Sequence, residues 1–376
     1  MSLIFNISRN DFLSGLSSLQ NVTSKKGTIA ILSNVLLESK NDSIILTATD
    51  LEIGIRHIIP AEILSGGTIT LPSRKLFEII RESGTEQIHL EIKENNWAKI
   101  TADSSSYNLA GIPGDEFPLF PEYKEENLVA LKSEIVKELI DKTIYCVAQD
   151  SESQFNLTGV LIEKEIDENK NCLRMVTSDG HRLSLMECEA ENDLSQLSME
   201  KTILIPRRGI QEIRKFCESR EEIKISFEDK QAVIKSNDSI IIIRLLNGDF
   251  PDYRNIIQVI NKASYVDIEK VQLVHSMKRM NLFTEDRYNA VQFNIEKDLL
   301  ILSSQNIDLG SARDEIKIKY SGEPFKLGFN GKYFLDTLSI MDSDIIKVYI
   351  NSEESPCMIQ GDADKGFISI IMPMKI

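Results

Sequence analysis

Apolar residues recur along the chain with two kinds of spacing, one typical of helices and one typical of strands. Leu76, Phe77, Ile79 and Ile80 follow a helical spacing, so they share one face while charged residues occupy the other. Runs rich in Val, Ile and Leu, such as residues 43–47, are typical of strands. The helical spacing predicts six helices, at residues 8–26, 72–83, 132–143, 206–220, 269–283 and 331–341.

One segment of the chain, residues 71–82, occurs three times. Residues 205–214 repeat its order of Pro, Arg, Glu and Ile, and residues 330–338 repeat it more weakly. The copies lie about 130 residues apart, which is typical of whole domains rather than of solenoid repeats. Each third begins with a short strand and a helix, and it continues with roughly eight strands and a second helix. This order predicts an α+β fold with two helices packed on antiparallel sheets in each repeat.

Two similar linkers separate the repeats. Residues 114–118 and 248–253 both contain Gly-Asp followed by Phe-Pro, and the Gly and Pro residues end the strand before them. The length of the chain is sufficient for three domains that each bury a core. We therefore expect three similar domains, at residues 1–123, 124–257 and 258–376.

A turn rich in Thr and Ser occurs at the corresponding place in each repeat. Residues 47–51, 177–181 and 303–307 have a hydroxyl residue one or two positions before an Asp or Asn. Short polar side chains of this kind hydrogen-bond to nearby backbone N–H groups. The pattern predicts a turn held by its own side chains in every repeat.

The net charge of −15 argues against nucleic-acid binding, but the charge is unevenly distributed. The six predicted helices together carry +8, so the rest of the chain carries −23. A surface lined by these helices could face DNA while the remainder repels it. Acidic strands and loops without any function in binding are the alternative explanation.

The five cysteines are scattered, with no Cys-x-x-Cys pair and only four His residues to assist metal binding. We interpret them as reduced thiols that fill the core. No apolar run approaches the length of a membrane helix, and the N-terminus lacks the pattern of a signal peptide. These features predict a cytoplasmic protein without a membrane partner.

The chain lacks the motifs of phosphate-binding loops, dinucleotide folds, zinc proteases and serine hydrolases. One enzyme-like motif remains, because Asp179 lies two residues before His181 and could orient its imidazole as a general base. A tight turn with satisfied polar side chains is a simpler interpretation. A third is a polar rim beside an apolar groove that binds peptides.

Six motifs carry a resemblance to a known family. They are Thr-Ala-Thr-Asp-Leu-Glu at 47–52, Leu-Pro-Ser-Arg-Lys at 71–75, Thr-Ser-Asp-Gly-His-Arg-Leu at 177–183, Ile-Pro-Arg-Arg-Gly at 205–209, Gly-Asp-Phe-Pro-Asp-Tyr-Arg at 248–254 and Met-Pro-Met at 372–374. In this order they resemble the β subunit of bacterial DNA polymerase III, the replicative sliding clamp. The resemblance implies a non-enzymatic processivity factor without a cofactor. It further implies three clamp-type domains per subunit and a head-to-tail homodimer closed into a ring around duplex DNA.

The resemblance also implies partners and the sites that bind them. The partners would be the catalytic subunit of DNA polymerase III, a clamp loader and other proteins with a clamp-binding motif. The implied peptide pocket consists of Leu157, Ser178, Gly180, His181, Arg182, Leu183, Pro251, Ile256, Tyr333, Pro356, Ile370, Met372 and Met374. The implied DNA contacts are Lys26, Arg74, Lys75, Gln149, Arg207 and Arg208. The implied dimer seam joins Tyr107 and Leu109 of one subunit to Leu282 and Phe283 of the other.

The chain departs from some family members at two places: Asn255 replaces a second Arg, and Phe155-Asn156 replaces paired aromatic residues. Two other functions remain as alternatives to the clamp. One is an enzyme that uses Asp179 and His181 as an acid–base pair. The other is a monomeric three-domain scaffold that has no role on DNA.

Overall fold

The computed structural model describes residues 3–23, 29–149, 157–168, 170–199, 202–263, 265–284 and 289–375. The α-helices in this part of the chain are α1 (Arg9–Leu19), α2 (Ser73–Glu82), α3 (Ser133–Thr143), α4 (Arg207–Phe216), α5 (Tyr253–Gln258), α6 (Lys270–Asn281) and α7 (Gly331–Ile340). None of these helices is long and apolar enough to cross a membrane.

The strands follow the three sequence repeats. In the first repeat they are β1 (Ile4–Ser8), β2 (Asn34–Lys40), β3 (Ser43–Thr49), β4 (Ile53–Pro60), β5 (Glu62–Ser65), β6 (Thr68–Pro72), β7 (Gln87–Ile92), β8 (Trp97–Ala102), β9 (Ser105–Ala110) and β10 (Ile112–Pro113). In the second they are β11 (Val129–Lys132), β12 (Gly159–Asp167), β13 (Lys170–Ser178), β14 (Arg182–Glu189), β15 (Ile203–Pro206), β16 (Glu222–Phe227), β17 (Gln231–Lys235) and β18 (Ser239–Arg244). In the third they are β19 (Val266–Glu269), β20 (Ala290–Glu296), β21 (Leu299–Asn306), β22 (Gly310–Lys317), β23 (Phe325–Asn330), β24 (Ile345–Tyr349), β25 (Cys357–Gly361) and β26 (Phe367–Ile371).

The contacts of the chain group it into two compact units. Unit 1 contains residues 1–130 and 222–245, and unit 2 contains residues 131–221 and 246–376. The second repeat is shared between them, because its strands complete a sheet in each unit. Strand β18 pairs with β4 in unit 1, and β14 pairs with β26 in unit 2. The second repeat therefore contributes strands to the sheets of both units.

Unit 1 has a five-stranded sheet in the order β5-β1-β7-β8-β9 and a nine-stranded sheet in the order β10-β6-β2-β3-β4-β18-β17-β16-β11. Helices α1 and α2 pack against each other. The apolar residues of α1 lie on one face, and Phe12 meets Phe5 of β1 edge to face at 6.2 Å. This burial fixes the helix on the sheet and leaves its polar face to solvent.

Unit 2 has an eight-stranded sheet in the order β15-β12-β13-β14-β26-β25-β24-β19 and a four-stranded sheet in the order β22-β21-β20-β23. Helices α3 and α4 pack together, and so do α6 and α7. Phe293, Phe329 and Phe334 form a buried aromatic group between strands and α7, with ring centroids 5.0 to 5.3 Å apart.

All six predicted helices are present, and each is shorter than its predicted range. The largest difference is α1, which ends at Leu19 because Val22 and Thr23 turn back to the Leu19 carbonyl. Helix α5 was not predicted, because the Gly and Pro residues around Pro251 indicated only the end of a strand and a domain boundary. Its N-cap is Asp252, whose side chain accepts the Arg254 N–H at 3.2 Å, and a Pro-Asp pair before a helix is a usable signal.

The predicted side-chain turns are present in all three repeats. The Asp50 carboxylate accepts the N–H groups of Glu52 and Ile53, at 3.0 and 2.7 Å. Asp179 and Asn306 each accept two backbone N–H groups in the same way. The acidic or amide side chain, more than the preceding hydroxyl, therefore holds each turn.

Candidate functional site

The floor of the candidate pocket is an apolar patch on the eight-stranded sheet of unit 2. Leu183 of β14 lies opposite Ile370 of β26, which in turn lies opposite Met358 of β25. All three are at most 4% exposed, and they belong to one buried cluster with Leu161, Val176, Leu185, Leu204, Tyr253, Ile260 and Tyr349. Ile256 of α5 is partly buried against this cluster. The alternation of β14 and β26 thus directs these side chains to one face.

The turn between β13 and β14 forms a polar rim next to that floor. Ser178 Oγ accepts the Gly180 N–H at 3.1 Å and donates to the Arg182 carbonyl at 2.8 Å. Gly180 has φ +88°, a conformation that a residue with a Cβ adopts only with strain. A Cβ at this position would also lie 3.8 Å from Leu157, which is 5% exposed. The positive φ of this turn, rather than a lack of space beside Leu157, therefore favours glycine.

Arg182 joins this turn to the third repeat and is not a free pocket side chain. Its guanidinium pairs with Asp179 at 3.0 Å and with Asp336 of α7 at 2.6 Å, and it donates to the Tyr145 carbonyl at 3.1 Å. It also lies 4.3 Å from the ring centroid of Tyr333. Burial acts to lower the pKa of Arg182, but Cys146, Asp336 and Asp179 more than offset this and raise it. We infer that Arg182 and Tyr333 stabilise the pocket wall.

The C-terminal segment runs along the same rim. The Met372 N–H donates to the His181 carbonyl at 2.9 Å, and the Met374 N–H donates to the Gly328 carbonyl at 2.8 Å. Met372 is 37% exposed and the His181 side chain is exposed, so both are accessible to a ligand. The segment thus spans from the β13–β14 turn to the edge of the four-stranded sheet.

The remaining predicted pocket residues lie around this patch. Pro251 and Pro356 are half-buried, the first just before α5 and the second just before β25. Asn255 is exposed and donates to the Asp252 carboxylate at 2.8 Å, so it supports the start of α5. Phe155 and Asn156 lie outside the described residues.

The geometry does not support an acid–base pair at Asp179 and His181. One Asp179 oxygen accepts the backbone N–H groups of His181 and Arg182, both at 3.0 Å. The other oxygen accepts from the Arg182 guanidinium. The carboxylate is therefore used to build the turn, and it does not orient the imidazole.

The predicted DNA-contacting residues occupy helix starts and a loop. In unit 1, Arg74 and Lys75 lie in the first turn of α2, with side chains 79% and 60% exposed, and both pair with Glu78. The Lys75 hydrogen bond lowers the pKa of Glu78. Exposed pairs of this kind contribute little stability, so the two cations can exchange partners.

In unit 2, Arg207 and Arg208 begin α4. Arg208 is exposed, whereas Arg207 is half-buried and donates to the Val147 carbonyl at 2.9 Å. Gln149 is exposed two residues after Val147, so the structure brings Arg207 and this loop together. Lys26 lies outside the described residues.

The predicted dimer residues lie at two strand edges. Tyr107 and Leu109 are half-exposed on β9, whose only hydrogen-bonded neighbour among the described strands is β8. Leu282 is 70% exposed at the end of α6, and Phe283 beside it is half-exposed. The neighbouring strand β22 likewise pairs only with β21 in the described chain.

Two further apolar residues at this edge were not predicted. Ile307 and Leu309 are 88% and 67% exposed in the turn before β22. The turn is tied to the end of α6, because Asn306 Nδ2 donates to the Thr284 carbonyl at 3.3 Å. Two large apolar residues in a turn of polar residues are the signal that could have identified them.

The five cysteines are buried and free, as predicted for thiols that fill a core. Burial raises the pKa of Cys217 to about 11 and that of Cys188 to about 12. Such thiols remain protonated and unreactive at neutral pH. Within the described ranges, no group of three or more His, Cys, Asp or Glu side chains could hold a metal ion.

Comparisons with known proteins identify the family. Three domain models of the DNA polymerase III beta subunit match in order along the chain: the N-terminal domain at residues 3–121, the central domain at 130–252 and the C-terminal domain at 260–375. Together these matches define a three-domain clamp fold, so the predicted fold class is confirmed. The chain belongs to the DNA polymerase III beta subunit family, the bacterial sliding clamps. Members of this family are non-catalytic processivity factors, which excludes the acid–base alternative.

Relatives and solved structures agree with this assignment. The beta sliding clamp of Chlamydia trachomatis is 28% identical over 372 residues, which cover 99% of this chain and 87% of that relative. The beta sliding clamp of Staphylococcus epidermidis is 28% identical, with 99% of both chains covered. The crystal structure of the Caulobacter crescentus beta sliding clamp superposes with a TM-score of 0.93 at 26% identity, over all of both chains. The Bartonella birtlesii clamp bound to griselimycin gives a TM-score of 0.91, also at 26% identity and full coverage.

Proposed function

We propose that this sliding clamp is a head-to-tail homodimer, closed into a ring around duplex DNA, with domains at residues 1–123, 124–257 and 258–376. The observation that carries the proposal is that the edge strands β9 and β22, each paired with a single described strand, have exposed or half-exposed apolar residues beside them: Tyr107 and Leu109 at the first edge, and Leu282 and Phe283 at the second. Natural proteins rarely leave such edges open, because unpaired strands associate with other chains. Pairing β9 of one subunit with β22 of the other would cover both edges and repeat at a second seam.

A ring holds DNA by topology and needs little affinity, which reconciles the function with a net charge of −15. The test is retention on nicked circular DNA after loading by a clamp loader. The protein should elute with the DNA in gel filtration and should be released when the circle is cut once. Retention on the linear product would contradict encirclement, and a single-chain mass in solution would favour the monomeric scaffold.

The cations at the starts of α2 and α4, of which Arg74, Lys75 and Arg208 are exposed and Arg207 is half-buried, support weak contacts with the DNA backbone. Changing Arg74, Arg207 and Arg208 to Glu should shorten retention on circular DNA about tenfold at low salt, because phosphate contacts become repulsive. The salt dependence of retention should also become shallower. The measurement is the half-life of the DNA complex at several salt concentrations.

A variant with Lys40, Lys297 and Lys326 changed to Glu is the matched control. It carries the same change in charge at exposed strand and loop positions. Its retention should equal that of the parent. Equal losses in both variants would mean that net charge alone matters and that these helices do not face DNA.

We further propose that the patch around Leu183, Ile370 and Met372 binds the clamp-binding motifs of polymerase III, the clamp loader and other partners, in the cytoplasm. The support is an apolar floor beside the exposed side chains of His181 and Met372. The unbranched side chain of Met can adapt to different side chains of a partner. A short peptide with Gln and Leu side chains should bind with about 8 kcal/mol, which corresponds to micromolar affinity.

Deleting residues 372–376 should weaken peptide binding at least a hundredfold, because the deletion removes Met372 and the two backbone hydrogen bonds of the tail. Calorimetry with the same peptide measures the loss. Dimer mass and DNA retention should be unchanged, and Lys375→Ala, a change at an exposed position, is the control. Undiminished binding by the truncated chain would rule out this pocket.

A further inference from the structure

Helix α5 forms one wall of the proposed pocket and is too short to hold its own position. It has six residues, and isolated helices of this length are unstable in water. Its Ile256 and Ile257 side chains pack against the apolar floor. The position of this wall therefore depends on its contacts with the sheet.

A charged cluster lies on the same face of the sheet, beyond the apolar floor. Arg174 of β13 is opposite Glu163 of β12 and Glu187 of β14. Its guanidinium pairs with Glu187, with Nε to Oε2 at 2.9 Å, and with Glu165. With a side chain only 14% exposed, Arg174 neutralises carboxylates that would otherwise repel each other.

Tyr253 connects this cluster to α5. The residue is 2% exposed, and its hydroxyl donates to Glu163 Oε2 at 2.5 Å while it accepts from Arg174 Nη1 at 3.3 Å. Arg254 adds a second link to Glu163, from Nη2 to Oε1 at 2.8 Å. Burial, followed by the bond to Glu163, raises the pKa of Tyr253 to about 12, so the hydroxyl remains a donor at neutral pH.

A cavity of about 410 Å³ lies beside α5 at this cluster. Leu185, Ile257 and Ile368 line its apolar part, and Arg174 and Glu187 lie at its charged part. Protein atoms do not fill the space on this side of the helix. A helix released from Glu163 and Arg174 therefore has room to shift.

We propose that Arg174 and Glu163 are positioning residues for partner binding, which act through Tyr253 to hold α5 and Ile256 against the pocket floor. The proposal rests on the proposed peptide-binding function. It extends the site to residues that need not touch the peptide. It also assigns a role to a charged cluster on a sheet face that is otherwise apolar.

Tyr253→Phe is the sharpest test, because it removes only the hydroxyl and keeps the buried ring. The Kd of the Gln- and Leu-containing peptide should rise about tenfold, mainly through faster dissociation. Backbone amides of residues 253–258 should exchange with deuterium faster than in the parent. The thermal midpoint and DNA retention should stay close to parental values. Arg174→Lys, which keeps the charge, should weaken binding less than Arg174→Gln.

Tyr123→Phe in unit 1 is the matched control. Tyr123 also donates to a glutamate, Glu125, at 2.9 Å and has a cation, Lys235, over its ring. Its loss should leave peptide binding unchanged. If the Kd of Tyr253→Phe stayed within twofold of the parent value, or if deuterium exchange in α5 were unchanged, the proposed role of Arg174 and Glu163 would be wrong. The proposed peptide pocket would not be affected by that result. A parent protein that failed to bind the peptide would instead overturn the proposed function.

Discussion

Replacing Leu282 and Phe283 together by Ala should convert the proposed dimer into a folded single chain. Both side chains lie at the end of α6 beside β22, which pairs only with β21 among the described strands, and Leu282 is 70% exposed. Truncating one large apolar side chain at an interface centre costs about 2 kcal/mol, so two should weaken association about a thousandfold. Sedimentation velocity at micromolar concentration measures the mass. Circular dichroism should show an unchanged fold, because neither side chain is fully buried in the single chain.

A control for general loss of apolar surface is Leu64→Ala with Ile166→Ala. These residues are 55% and 42% exposed on other strands. The control should remain dimeric and should be retained on circular DNA. A dimer that survives the Leu282 and Phe283 changes would place the seam elsewhere. In that case Ile307 and Leu309, in the turn held by Asn306, would be the next residues to test.

The elements that could be predicted from the sequence are those whose cause is local. The six helices follow from the spacing of apolar residues, and the three turns follow from an Asp or Asn that bonds to backbone two and three residues ahead. Helix α5 was missed although its N-cap is local, because six residues hold too little of the helical period to detect. The order of strands depends on contacts far apart in the chain, so the sharing of the second repeat between two units left no local pattern.

The candidate pocket could be predicted only in part. The resemblance supplied the residues, and the structure brings together Leu183, Ile370 and Ile256 in one cluster. The sequence alone did not indicate that the Arg182 guanidinium forms ion pairs with both Asp179 and Asp336, because Asp336 lies 154 residues away in the chain. The Arg174 cluster was missed for the same reason. Alternating charged residues on strands look like a solvated face until the register shows which of them meet.

The largest stability effect should come from a buried ion pair that joins α3 to the third repeat. Lys142 is 8% exposed, and its Nζ contacts Asp364 at 2.6 Å, Asp342 at 2.7 Å and the Ile340 carbonyl at 2.6 Å. Asp364 is fully buried and also accepts from Ser343. Lys142→Met keeps the volume but leaves the Asp364 charge without its partner. Breaking such a pair costs about 3–5 kcal/mol, so the thermal midpoint should fall by about 5–10 °C.

The loss should depend on pH in a defined direction. Burial acts to raise the pKa of Asp364, but the bonds from Lys142 and Ser343 outweigh it and lower the pKa below the ordinary value. A carboxyl with a lowered pKa stabilises the fold above its unfolded pKa, about 3.9, and that stability is lost as the pH falls through the folded pKa. The difference in free energy of unfolding between the parent and Lys142→Met should therefore be full at pH 7 and should shrink in acid below about pH 4. Urea unfolding at pH 7, 5 and 3.5 measures it.

Lys347→Met is the matched control for this experiment. Lys347 also pairs with an aspartate of the third repeat, but that residue, Asp362, is 85% exposed. A pair open to water contributes little to stability, so this change should leave the thermal midpoint nearly unaltered at every pH. Equal effects of the two substitutions, or a Lys142→Met effect that persisted undiminished at pH 3.5, would show that the buried charge of Asp364 is not what Lys142 stabilises.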